Sequence, residues 1–120
     1  MAVRALRGAT QLDTDDRAHL LESVQELVGE MVTANELEHD ELISVVFTAT
    51  PDLRSEFPAL AARHLGIGDV PLLCAQEIDV EGAMPRVIRV LMHVDTERPR
   101  DQLRHVYLRG AVGLRRDLAQ

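Results

Sequence analysis

Arg89 is the residue whose surroundings most need a chemical explanation. It lies inside VIRVLMHV, residues 87–94, where most neighbours favour burial. A guanidinium enclosed without a partner is too costly to persist, so Arg89 must meet a carboxylate or line a cleft that takes an anion. Arg7, in the first segment, raises the same question more weakly. Glu77, Asp79 and Glu81 alternate in QEIDVEG and have the oxygen chemistry to cradle a hard cation. That run lacks the further oxygen ligands and turn glycine of a calcium loop, so a solvated acidic stretch is the simpler reading. Glu77 also stands three residues past Cys74, just beyond a predicted strand, where the sites of sheet proteins gather.

Other candidates are weaker. Cys74 has nucleophilic chemistry, but no histidine stands at a telling position beside it, and a small buried residue is the plainer reading. The five histidines show no metal-ligand spacing, so no metal is expected. Gly66-Ile67-Gly68 opens a dinucleotide-like pattern that fails at Pro71, where a third glycine is needed. No serine sits in a nucleophile-elbow context.

Composition narrows the chemistry further. All 13 basic residues are arginine and none is lysine, which removes Schiff-base catalysis and the phosphate-loop lysine. Twenty acidic residues leave a net charge of −7, and the aromatics are only Phe47, Phe57 and Tyr107. A nucleic-acid partner, which calls for basic surplus and stacking rings, is not expected. A single cysteine forbids an internal disulfide and suits a reducing compartment. The opening MAVRALRGAT has no apolar run of signal length and no stretch is long enough to span a bilayer, so the expectation is a cytoplasmic protein away from membranes.

The elements that must hold these residues follow from periodicity. A chain of 120 residues suits one domain, 1–120, with one modest core. Residues 2–10 read as a first strand. Thr14 or Asp13 reads as a helix N-cap, with Asp15 and Asp16 suited to the positive helix start. Leu20, Leu21, Val24, Leu27, Val28 and Met31 then recur at helical spacing, predicting a helix over about 15–34. LISVVFTA, 42–49, reads as a strand buried on both faces, and 87–94 as another. Between them come a short helix over 57–65 closed by Gly66 and a strand over 70–75. A turn or short helix over 101–105 and a last strand over 106–112 complete an α/β (α+β) domain with a mixed sheet and helices on one face.

Several segments, in order and at near-constant spacing, carry a resemblance. VRALRGAT, TATPDL, FPALAAR, VPLLCAQEIDV, IRVLM and QLRHVYLRGAVGLRRDL together resemble the monofunctional AroH-class chorismate mutases, the trimeric α/β type. The match covers residue 3 to about 118. It implies a cofactor-free rearrangement of chorismate to prephenate and a homotrimer, forming a pseudo-α/β-barrel, with active sites between subunits. It also implies the site. Arg89 is placed at the ether oxygen of the substrate, Arg7 at a carboxylate, Tyr107 as a hydroxyl donor and Glu77 at the ring hydroxyl, with Cys74 beside it. Phe57, Ala59, Leu72 and Leu73 are implied as wall residues. Arg63, Leu114 and Arg115 are implied to rim or close the site, the last two in a C-terminal tail. Leu60 departs from the family pattern, which can carry a cation there. A silent trimer that only binds a metabolite is the alternative, and it has no use for a group aimed at a breaking ether bond.

Overall fold

The computed structural model describes residues 2–114. Five strands, β1 (Ala2–Gln11), β2 (Leu42–Ala49), β3 (Leu72–Gln76), β4 (Val87–Thr96) and β5 (Val106–Leu108), form one mixed sheet in the order β3-β2-β4-β1-β5. β4 runs antiparallel to both β1 and β2, while β3 lies parallel to β2 and β5 parallel to β1. Two helices, α1 (Arg17–Ala34) and α2 (Pro58–His64), cover one face.

Period-two alternation sorts every strand into two sides. Leu6 of β1, Val45 and Phe47 of β2, and Ile88, Val90, Met92 and Val94 of β4 turn toward the helices and are buried. Against them pack Leu20, Val24, Leu27, Val28 and Met31 of α1 with Ala61 and Ala62 of α2, making the main core. Gly8 is required by this packing. A Cβ there would lie 2.5 Å from Met31 Sδ and 3.2 Å from Leu27 Cδ1, so α1 rests on bare β1 backbone. Gly8→Ala is expected to cost about 1–3 kcal/mol through overpacking, read as a melting temperature lower by roughly 5–15 °C.

The other side of the sheet is covered by the described residues only at its β1–β5 end, where Ala9 and Tyr107 pack with Ala111. Val3, Leu73 and Leu91 are exposed there, and Arg89 points with them. β2 and β4 are therefore not buried on both faces, as their hydrophobic runs suggested. Within one chain, only the helix side of β2 and β4 is enclosed.

Several element ends differ from the sequence expectation. The N-cap of α1 is Asp16, not Thr14 or Asp13: its backbone is extended and its carboxylate accepts the His19 N–H at 3.0 Å. Asp15 instead reaches across to the 50s loop, accepting the N–H groups of Arg54 at 3.0 Å and Ser55 at 3.1 Å. β3 begins later than residue 70, after Pro71, which lacks an N–H for the ladder. β5 stops at Leu108 because Arg109 adopts φ 54°, and a 3₁₀ turn, Arg109–Gly113, replaces the strand. Gly66 closes α2 with φ 86°, as its position suggested.

Candidate active site

The open side of the sheet brings residues from all five strands into one row. Register sets Thr48 of β2 between Ala75 of β3 and Arg89 of β4, Arg89 opposite Ala9 of β1, and Ala9 beside Tyr107 of β5. One step along, Leu73, Val46, Leu91 and Arg7 make a parallel row. A hollow of about 310 Å³ lies over these rows, with Arg7, Ala9, Thr48, Arg89 and Tyr107 among its walls.

Arg89 is half-exposed rather than buried, and it does meet a carboxylate. Its Nε lies 3.0 Å from Glu77 Oε2 and donates to Oε1 at 3.2 Å. The Arg89 side chain is 46% exposed and the Glu77 side chain only 17%. Glu77 follows β3 directly, and its N–H donates to Ala49 O at 2.9 Å, which ties the post-strand segment to β2. Thr48 Oγ1 donates to Glu77 Oε2 at 2.6 Å. The hydrogen bond to Glu77 uses only Nε of Arg89, so the terminal NH₂ groups of the fork are not spent on that carboxylate.

The remaining residues are placed as follows. Tyr107 is nearly enclosed and packs with Ala9 and Ala111, with Leu114 against them. The Arg7 N–H donates to His105 Nδ1 at 2.9 Å, which fixes the β1 backbone just before β5 begins. Phe57, 72% exposed, and Cys74 line a second hollow of about 570 Å³ beside the 50s loop. Phe57 is steadied through Glu56, whose carboxylate accepts the Phe57 N–H at 2.9 Å and pairs with Arg17 Nε at 2.8 Å. Those two contacts, the amide first, hold the Glu56 carboxyl below its ordinary value.

Two implied wall residues, Ala59 and Leu72, and the rim residue Arg63 stand elsewhere. Ala59 is buried in the main core, because the first turn of α2 faces the sheet. Leu72 packs on that same core, one alternation out of phase with Leu73. Arg63 is exposed at the end of α2, and Leu60 packs in part against the core. Arg115 lies outside the described residues. Asp79 and Glu81 are exposed, whereas Glu77 turns back to the sheet. Sequence reasoning missed Thr48. It stood in a quoted segment, but nothing in one sequence shows that it faces Arg89 across a ladder.

Residues 3–118 match the family described as chorismate mutase type I. The chain belongs to this family. A protein of Thermus thermophilus named chorismate mutase AroH is 49% identical over 117 residues, covering 97% of this chain and 96% of that one. A Bacillus subtilis (strain 168) protein of the same name is 41% identical over 120 residues, covering 99% and 94%. A solved chorismate mutase from Clostridium thermocellum superposes with a TM-score of 0.88 at 44% identity, over 90% of this chain and 96% of the other. As a type I chorismate mutase domain, the molecule has the mixed sheet and one-sided helices that the order of its elements predicted. No helix among the described residues is long and apolar enough to cross a membrane.

Proposed function

We propose that this protein converts chorismate to prephenate on the open side of its sheet, with Arg89 as the group that lowers the barrier. The rearrangement is intramolecular: the ether C–O bond breaks as a C–C bond forms, and no proton or cofactor enters. As the ether opens, negative charge grows on the departing oxygen. A guanidinium already held in place stabilises that charge more than it stabilises the substrate, which is the condition for catalysis. The Arg89–Glu77 pair on an open, concave sheet face is the observation that carries this reading.

The other residues take supporting parts. Glu77, an acceptor when ionised, holds the ring hydroxyl, and Arg7 takes one substrate carboxylate. Tyr107 donates from β5. Phe57, Leu73, Cys74 and Leu114 shape the apolar surroundings, and Arg63 and Arg115 attract the dianion to an otherwise acidic protein. The pairing of Arg89 with Glu77 keeps the guanidinium oriented while leaving donors for the ether oxygen.

The functional unit in this reading is a homotrimer with sites between subunits, acting in the cytoplasm in aromatic amino acid synthesis. Its support is the uncovered apolar surface: Val3, Leu73 and Leu91 on the sheet, with Phe57, Ile78 and Val80 beside it, are exposed in one chain. Patches of this kind mark contact surfaces. Light scattering after size-exclusion chromatography should give three copies, and a stable monomer would remove the trimer.

The deciding experiment follows the ultraviolet absorbance of chorismate after mixing with the purified protein. Rapid loss is expected, with prephenate as the product and no loss with Arg89→Ala. A folded protein that binds chorismate without turnover would overturn the reading. Cys74→Ala should retain kcat within about threefold, since no nucleophile is needed and only a weak polar contact is lost. Abolished turnover in a folded Cys74→Ala protein would point to covalent chemistry.

A further inference from the structure

Thr48 has no part in the roles set out above, yet it touches the centre of the site. Its hydroxyl donates to Glu77 Oε2 at 2.6 Å, within the short range of charge-assisted hydrogen bonds. Its Cα stands opposite Arg89 on one neighbouring strand and opposite Ala75 on the other. As a β-branched residue within a ladder, it has few χ1 choices, so its hydroxyl is set by the strand.

Glu77 is in the opposite situation. It lies just past the end of β3, and the segment that follows has no regular structure. One backbone bond, to Ala49 O, anchors it, while its side chain has the rotamer freedom of a long carboxylate. The Thr48 hydroxyl and the Arg89 Nε both donate to that carboxylate, at Oε2 and Oε1 respectively.

We infer that Thr48 is a positioning residue for the rearrangement: its hydroxyl fixes the Glu77 carboxylate as an acceptor, and through that carboxylate it aims the Arg89 guanidinium. The inference rests on the reading that Glu77 and Arg89 handle chorismate. Without the hydroxyl, Glu77 is free to rotate, and the guanidinium loses the fixed partner that orients it.

The test is a double-mutant cycle on the full chain, with chorismate turnover as the readout. Thr48→Val keeps the shape and strand preference and removes the donor. It is expected to lower kcat about tenfold, the scale of one hydrogen bond to a charged group, and Thr48→Ser should recover most of that loss. In a Glu77→Gln background the same Thr48→Val change should cost less than about twofold further, because residues acting through one another do not add. An equal tenfold loss in both backgrounds would show that Thr48 acts independently of Glu77 and overturn the inference. So would wild-type kcat in Thr48→Val alongside a slow Glu77→Gln. Wild-type kcat in both Glu77→Gln and Arg89→Ala would overturn the underlying site reading instead. If Thr48→Val does not fold, Thr48→Ala removes the same donor without placing a methyl against the carboxylate and is judged by the same cycle.

Discussion

Arg89→Lys is expected to lower kcat for chorismate by at least ~10²-fold, while the protein stays folded and keeps its melting temperature within a few degrees. The size follows from the loss of one donor aimed at developing oxyanion charge. Lysine retains the positive charge but not the fork. Arg89 meets Glu77 through Nε and has separate terminal donors, whereas an ammonium is a single, mobile point that must choose between partners. The half-exposed side chain also explains why stability should survive, since no enclosed ion pair is being broken. Stopped-flow and steady-state measurement of chorismate loss check this, with the effect falling mainly on kcat. Turnover near that of the parent protein would remove Arg89 from the ether oxygen.

The largest effect on stability is expected at the residue just before Thr48. Phe47→Ala should destabilise the protein by about 3–5 kcal/mol, because Phe47 is fully buried beneath the sheet and the helices above it are not free to close the void. Strand alternation makes the result diagnostic. Phe47 faces the helices and Thr48 faces the hollow, so the kcat of whatever fraction remains folded should change little. Chemical denaturation read by circular dichroism gives the first quantity and active-site-normalised turnover the second. A well-folded Phe47→Ala protein with greatly reduced kcat would show that the two faces of β2 are mechanically linked.

How much of this was legible beforehand differs between the elements and the site. β2 is bounded at 42 and 49 by the same residues that the hydrophobic run marks out. The buried stripe of α1 is the one that helical spacing selects. The cap of α1 was misplaced because Asp13, Thr14, Asp15 and Asp16 all have capping chemistry. Only the three-dimensional position of the 50s loop assigns Asp15 to that loop and leaves Asp16 for the helix.

The need of Arg89 for a carboxylate was readable from its neighbours, but its degree of burial was not. Residues 87–94 carry apolar groups on both faces, and a run of that kind reads as enclosed on both. Leu91 shows the mismatch, being apolar and still 38% exposed. A chain that spends apolar residues on a side it does not itself cover is consistent with the trimer proposed above. Thr48 could not have been found, because its importance is a matter of register, and register is a property of pairs of strands.

The order of strands has a consequence for how the molecule is made. β1 is the first of the five strands to be synthesised, but its two neighbours in the sheet, β4 and β5, are the last two of the five. The bond from the Arg7 N–H to His105 spans 98 positions of the chain. During translation β1 therefore waits with unpaired edges on both sides until β4 and β5 have emerged, a condition that invites pairing with other nascent chains. Arg4 and Arg7 set two charges within that strand, residues of the type that disfavours edge-to-edge pairing.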